Sequence, residues 1–143
     1  MKVKILRKNS SVPLPTYTTA GAVAFDLAAD EDMVVPSGEV RLVPTGVVVS
    51  VPAGCMLMLA ARSSTPLKRG LMLANGIGVI DRDFCGPDDE LKIQVYNFSK
   101  DPVEVKRGER IAQGIFVRME RAEWSEGERM PEENRGGFGS TGR

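Results

Sequence analysis

The segment Ala61-Arg62-Ser63-Ser64 joins a guanidinium to two hydroxyl groups directly after the apolar run Cys55–Ala60. A short helix is predicted to begin here, so free backbone N–H groups would converge with these side chains. Such donors, together with the helix dipole, favour a phosphate or another anion. The alternative is a capped helix whose arginine points into water. The segment is therefore a candidate anion site.

A second polar segment runs from Asn75 to Phe84 and contains Gly76 and Gly78. The two glycines beside an asparagine permit a tight hairpin whose backbone approaches a ligand closely. Asp81 follows this hairpin, and the chain has no histidine, so a carboxylate is the natural candidate for a general base. The alternative is an ordinary turn in which aspartates accept hydrogen bonds from backbone donors.

A third segment, residues 135–142, contains the pattern GxGxxG from Gly137 to Gly142. This is not a dinucleotide fingerprint, because no helix can follow within the sequence. Its backbone N–H groups and hydroxyls are suited to wrapping phosphates, with Arg135 supplying charge and Phe138 a stacking ring. No Walker GxxxxGK[ST] motif occurs in the chain.

The elements that must position these segments are predicted to be strands. Apolar residues alternate with polar ones in Leu91–Val95 and Val103–Val105, and Val47–Val51 is mostly β-branched. Turn formers recur between such runs, which is typical of a β-sandwich or barrel. One short helix is predicted after Ser63-Ser64-Thr65, with Thr65 as N-cap, Pro66 at the first helical position and Gly70 as the left-handed C-terminal residue.

Composition changes at Ser125. From there to Arg143 only Met130 and Phe138 are large and apolar, so this segment cannot bury enough surface to order itself. We expect residues 1–124 to form one β domain and residues 125–143 to form a flexible arm that orders on contact with a ligand. A frayed terminus is the alternative.

Composition also excludes several classes of function. With 143 residues the chain suffices for one domain. The absence of histidine removes Ser-His-Asp and Cys-His catalysis and His-ligated zinc. Two cysteines are too few for a disulfide framework or a four-cysteine metal site. Since 19 basic residues balance 19 acidic ones, we expect no nucleic-acid or membrane partner. The lack of a signal peptide or long apolar run predicts a cytoplasmic protein.

Together with Asp26 in Ala24–Leu27 and Gln113 in Gly108–Gln113, the three segments resemble the five ordered motifs of the trimeric dUTPase family. The resemblance covers nearly the whole chain. It implies an all-β, jelly-roll-like barrel or sandwich with one short helix and a flexible C-terminal arm. It also implies a homotrimer whose three active sites are each built from three subunits, the arm crossing to another subunit and closing over the nucleotide.

The reaction that the resemblance implies is hydrolysis of dUTP to dUMP and pyrophosphate by attack of water on the α-phosphorus. Asp81 matches the carboxylate that activates the water and contacts the deoxyribose 3′-hydroxyl. Asp26 matches a carboxylate that reaches Mg²⁺ through water, the ion being held mainly by phosphate oxygens and water.

The remaining site residues fall into two groups by the part of the nucleotide that they would contact. The residues matching contacts with uracil and deoxyribose are Asn75, Gly78, Ile80, Phe84 and Phe138. The residues matching contacts with the phosphates are Arg62, Ser63, Ser64, Gln113, Arg135, Ser140 and Thr141.

The chain departs from the family pattern in three places. Phe84 stands where the family usually has tyrosine, so the ring is kept and the hydroxyl is lost. Residues 85–90 form a link about three residues longer than the family's, which predicts a local bulge. Only two residues separate Arg135 from Phe138, two fewer than in the common form, so Arg135 would reach a different phosphate oxygen or another arginine would substitute.

Two other functions fit the same fold. In the related dCTP deaminases a glutamate is expected on the strand after the hairpin, where this chain has Gln94. Because glutamine cannot cycle a proton, deamination is disfavoured. A non-catalytic jelly-roll module that only binds nucleotides is the second alternative, and it would have no need of Asp81 as a base.

Overall fold

The computed structural model describes residues 1–137 and is almost entirely β. Within these residues the chain forms eleven strands and one helix, α1 (Ser64–Arg69). In chain order the strands are β1 (Lys4–Arg7), β2 (Phe25–Ala28), β3 (Met33–Val35), β4 (Val40–Pro44), β5 (Val47–Ser50), β6 (Cys55–Ala61), β7 (Leu71–Leu73), β8 (Gly78–Ile80), β9 (Lys92–Asn97), β10 (Val103–Val105) and β11 (Arg110–Arg118).

All the strand pairs are antiparallel. The largest sheet has the order β2-β11-β6-β8, and a second sheet has the order β4-β9-β7. Two-stranded ribbons, β1-β5 and β3-β10, complete the layers. The predicted all-β, jelly-roll-like class is therefore confirmed. The described residues contain no helix long and apolar enough to span a membrane.

One hydrophobic core lies between the sheets, and every second side chain of the strands points into it. Leu57 and Leu59 of β6 and Ile93 and Val95 of β9 are all at most 3% exposed, while their sequence neighbours are less buried. This period of two is what a strand with one buried face requires.

The helix begins differently from the prediction. Ser63, not Thr65, is the N-cap, and it makes no side-chain capping bond. The hydroxyl of Thr65 is buried and donates instead to the carbonyl of Ile111, at 3.0 Å. Pro66 is the third helical residue and not the first as predicted, but it lies in the first turn, where its missing N–H is not needed. Gly70 ends the helix in the left-handed conformation, as predicted, with φ of 63°.

Gly114 allows β11 to pass directly over the ring of Phe25. A Cβ at this position would lie 2.5 Å from Cζ of Phe25. That ring is itself held between Tyr17 and Phe116, with ring centroids 5.9 and 5.7 Å away. The glycine is therefore required by packing.

Replacing Gly114 with alanine is expected to destabilise the fold by about 1–3 kcal/mol, because the added methyl group overpacks the core. A thermal denaturation series on the purified protein measures this. Gly21→Ala is the matched control, since a Cβ at Gly21 meets nothing within 4 Å. Equal midpoints for the two variants would contradict the packing argument.

Candidate active site

Three charged side chains meet at one end of the largest sheet. The Oδ1 atom of Asp26 lies 2.8 Å from Nε of Arg62, and its Oδ2 atom lies 2.9 Å from Nη1 of Arg110. The sheet order β2-β11-β6 causes this meeting, because Asp26 is on β2, Arg110 begins β11 and Arg62 directly follows β6. Two cations surround one carboxylate, so the cluster has a surplus of positive charge that favours an anion.

Gln113 lies beside this cluster in the middle strand. It is opposite Asp26 in β2 and opposite Ala60 in β6. Its Nε2 atom donates to the carbonyl of Ala61, at 3.0 Å. This bond connects the amide to the residue that precedes Arg62, so two of the predicted phosphate contacts are tied together.

A cavity of about 330 Å³ opens where α1 begins. Its charged lining consists of Arg62, Lys68, Arg69, Arg110 and one carboxylate, Glu109, which pairs with Arg69, and Ser64 contributes a hydroxyl. Ser63 is exposed next to it. This lining can bind an oxyanion through charge-assisted hydrogen bonds. The structure thus brings Arg62, Ser64, Asp26 and Gln113 to one end of the sheet.

The segment around Asn75 is not a hairpin, which corrects the prediction. The strand before it, β7, pairs with β9, whereas the strand after it, β8, pairs with β6. Residues 74–77 therefore carry the chain from one sheet to the other, through a turn in which Gly76 has a φ of 72°. Gly78 passes close to the neighbouring strand β6, since a Cβ there would lie 3.0 Å from Cβ of Leu59, and its close approach to a ligand stays a prediction.

Asp81 follows β8 and is exposed, as is Phe84 three residues later. Asp81 lines a cavity of about 780 Å³ together with Asp83, Cys85 and Arg121. An exposed carboxylate at the mouth of a cavity can accept a proton from a water molecule bound there. Asn75 and Ile77 are also exposed, whereas Ile80 is partly buried against the sheet.

The long link after Phe84 folds as a compact turn. The backbone N–H of Gly86 donates to Oδ2 of Asp89, at 2.7 Å, and Glu90 accepts from the backbone N–H of Gly46, at 2.6 Å. The extra residues are therefore taken up at the surface, before β9 begins.

Asp81 and Arg62 lie far apart in a single chain. Ile80 is opposite Leu57, near the start of β6, and Arg62 follows the other end of that strand. At about 3.3 Å per residue, this places Asp81 roughly 20 Å from Arg62 along the strand direction. One chain alone does not bring the candidate base to the candidate phosphate contacts.

The last strand ends at Arg118, and residues 119–137 are exposed. Trp124 and Met130 are 94% and 84% exposed. Arg135 is the only predicted arm contact within this range. Phe138, Ser140 and Thr141 lie outside the described residues.

Sequence reasoning missed Arg110, Thr18 and Lys68. The hydroxyl of Thr18 donates to Oδ2 of Asp26, at 3.1 Å, and Lys68 lines the cationic cavity. Arg110 lies three residues before Gln113 in the same sequence segment. The pair Glu109-Arg110 in that segment could have suggested a second guanidinium at the site.

The turn that leads into β11 is ordered by charge. The backbone N–H of Arg107, 2.8 Å from Asp32, lowers the pKa of that carboxyl below its ordinary value, and the ammonium group of Lys106 adds to the effect. Glu104, 3.2 Å from Lys106, raises the pKa of the lysine. Both side chains are exposed, so they direct the turn and contribute little to stability.

No group of three His, Cys, Asp or Glu side chains within residues 1–137 is arranged to hold a metal ion. The predicted magnesium contact, Asp26, has both carboxylate oxygens engaged by Arg62 and Arg110. A divalent cation would meet two positive charges at this carboxylate. The side chains around Asp26 therefore do not fit direct coordination of Mg²⁺, and the expected contact through water stays a prediction.

Comparison with known proteins identifies the family. Residues 10–142 match the family model described as dUTPase. The chain is 39% identical to the deoxyuridine 5′-triphosphate nucleotidohydrolase of Lactococcus lactis, over 94% of this chain and 91% of the relative. It is 37% identical to the protein of the same name from Nautilia profundicola, over the full length of both.

A solved structure gives the same answer. The crystal structure of the dUTPase from Streptococcus mutans aligns with a TM-score of 0.79 and 33% identity, covering 87% of this chain and 100% of that one. Family model, relatives and solved structure all span most of the sequence. The chain therefore belongs to the dUTPase family.

Proposed function

We propose that this protein hydrolyses dUTP to dUMP and pyrophosphate by attack of water on the α-phosphorus. The observation that carries the proposal is the cationic cavity at the start of α1, in a chain that belongs to the dUTPase family. A triphosphate needs such local donors because the protein has no net charge to attract it. Hydrogen bonds to charged groups contribute roughly 1.5–3 kcal/mol each.

Asp81 is the general base in this proposal and also contacts the 3′-hydroxyl of the sugar. Its exposure beside a cavity supports the assignment, because the water that it activates must reach it. Phe84 packs on deoxyribose and excludes a 2′-hydroxyl. The backbone of Gly78 and Ile80, with Asn75, recognises uracil where the chain passes between sheets.

The phosphates are bound from the other end of β6. Arg62, Ser63, Ser64 and Gln113 supply the donors there, and Arg135, Ser140 and Thr141 of residues 125–143 add contacts to the terminal phosphate. Phe138 stacks on uracil. Mg²⁺ enters with the nucleotide, held by phosphate oxygens and water, which are the ligands that it prefers.

The active sites are shared within a homotrimer in this proposal. Support comes from the separation of about 20 Å between Asp81 and Arg62 in one chain, which is too long for one nucleotide-binding residue to assist the other. A site that holds both must take them from different copies. A cytoplasmic location and the division into residues 1–124 and 125–143 remain predictions.

Mixing two inactive variants is expected to restore activity. Asp81→Asn and Arg62→Gln each damage every site in their own assemblies, because each lacks one necessary group. In trimers refolded from an equal mixture, about one quarter of the sites draw an intact Asp81 and an intact Arg62 from different chains, given a closed cyclic arrangement. Pyrophosphate release from the mixture, measured against wild type, tests this.

The control mixes Arg62→Gln with Gln113→Ala. These residues belong to the same cluster on one chain, so no exchange of subunits produces a site with both, and no activity beyond the average of the two variants is expected. A mixture of Asp81→Asn and Arg62→Gln that stays inactive, although its trimers have exchanged subunits, would contradict the shared site.

Substrate choice is tested by measuring pyrophosphate release from dUTP, dCTP, dTTP and UTP with Mg²⁺. The proposal expects release from dUTP above the others. Release of ammonia from dCTP would favour a deaminase, and binding without any product would favour a non-catalytic module.

A further inference from the structure

The carboxylate of Asp26 is held from both sides. Its Oδ1 atom forms an ion pair with Nε of Arg62 at 2.8 Å, and its Oδ2 atom accepts from Nη1 of Arg110 at 2.9 Å and from the hydroxyl of Thr18 at 3.1 Å. The Asp26 side chain is only 14% exposed. Because its oxygens already contact two guanidinium groups and one hydroxyl, this carboxylate acts within the protein as a partner of arginines.

A break in the strand register brings Arg110 to this place. Arg110 pairs with Ala28 and Ala112 pairs with Leu27, so β11 has one residue, Ile111, more than β2 at this step. Such β-bulges bend a strand and redirect a side chain, and they are frequent next to active sites. Ile111 itself is buried in the core, which fixes the bulge.

Arg62 and Arg110 are also joined directly. Nη1 of Arg62 donates to the backbone carbonyl of Arg110, at 3.1 Å. Arg62 is thereby held through two of its nitrogens, while a guanidinium has five N–H donors in a rigid fork. Both arginines line the 330 Å³ cavity with Ser64 and Lys68, so their remaining donors are available to a ligand there.

We propose that Asp26 is a positioning residue that holds Arg62 and Arg110 as a pair of guanidinium groups for the polyphosphate, and that Arg110 is a phosphate-binding residue. The inference rests on the proposed function. It assigns Asp26 a role different from a contact to Mg²⁺ through water. Fixing two flexible cations before the substrate arrives removes an ordering cost that binding would otherwise carry.

The test compares wild type with Asp26→Asn, Arg110→Gln and the double variant, with dUTP as substrate over a series of Mg²⁺ concentrations. Each single variant is expected to lower kcat/KM about tenfold or more, given the usual strength of charge-assisted contacts. The double variant should be about as impaired as the worse single one, since both act through one cluster. The Mg²⁺ concentration for half-maximal rate should remain that of wild type.

A second measurement does not depend on turnover. Calorimetric titration of the intact protein with pyrophosphate and Mg²⁺ is expected to show affinity about tenfold weaker for Arg110→Gln, and intermediate for Arg110→Lys, which keeps the charge but loses the planar fork. Arg41→Gln is the matched control, because Arg41 pairs with Glu39 on the other sheet. Thermal midpoints near that of wild type establish that the variants are folded.

Any one of three results would overturn the inference. Asp26→Asn could recover the wild-type rate when the Mg²⁺ concentration is raised. The effects of the two substitutions on kcat/KM could multiply in the double variant, or Arg110→Gln could bind pyrophosphate with unchanged affinity. A wild-type protein inactive toward dUTP would instead sink the proposed function, and the titration would still decide whether Arg110 binds phosphate.

Discussion

Asp81→Asn is expected to lower kcat for dUTP hydrolysis by at least about 100-fold while dUTP still binds, because asparagine keeps the shape of the side chain but cannot accept the proton of the attacking water. The effect should fall on kcat and leave the affinity for dUTP nearly unchanged. Single-turnover measurement of pyrophosphate release, combined with nucleotide titration of the variant, separates the two quantities.

Asp83→Asn is the matched control for this experiment. Asp83 lines the same cavity, is also exposed and lies two residues further along the chain. It should keep activity within a few-fold of wild type, since surface substitutions of this kind seldom matter. Unchanged turnover in Asp81→Asn, or equal losses in both variants, would remove Asp81 from its role.

Deleting residues 135–143 is expected to leave the fold and the proposed trimer intact and to lower activity by at least about 100-fold, since closing segments position the substrate and exclude water. Residues 119–137 are exposed, so the core does not depend on the part of this segment that the structure describes. Thermal denaturation and size-exclusion chromatography report on the first expectation, and pyrophosphate release reports on the second.

Met130→Ala serves as a control for the truncation. It changes an exposed apolar residue of the same region but keeps the segment that carries Arg135, Ser140 and Thr141. Activity near that of wild type is expected. A truncated protein with full activity would refute the role proposed for residues 135–143.

Much of the architecture follows from local pattern. Alternation in Leu91–Val95 and the turn residues around it predicted the buried face of β9, because a period of two has one structural meaning in a half-buried strand. The left-handed Gly70 was also predictable, since few residues other than glycine adopt that conformation readily. These features depend on a few neighbours in sequence.

Pairing across sheets was not predictable in the same way. Asn75 and Gly76 have the composition of a hairpin turn, yet the strands on either side of them belong to different sheets. The residue types in a turn predict how the chain bends, but they do not predict which strands pair on either side of it. The prediction of Thr65 as the N-cap was wrong for a similar reason. The hydroxyl of Thr65 donates to the carbonyl of Ile111, which is distant in sequence, and not to its own helix end.

The candidate site was predicted in its residues but not in its arrangement. Arg62, Gln113 and Asp26 come together because β11 lies between β2 and β6, and nothing local in the sequence gives that order. The role of Arg110 depends on the one-residue bulge at Ile111 and was equally hidden. The sequence therefore predicted which side chains are candidates for catalysis and phosphate binding. The order of the strands determines which of these side chains lie next to one another.

The length of β6 has a consequence for when the protein becomes active in a cell. Because the strand keeps the proposed base and the proposed phosphate contacts at its two ends, the proposed shared site would leave a single chain catalytically inactive. Activity would then appear only when subunits associate, so its onset would depend on protein concentration as well as on synthesis. A strand of seven residues would thus set when the enzyme switches on.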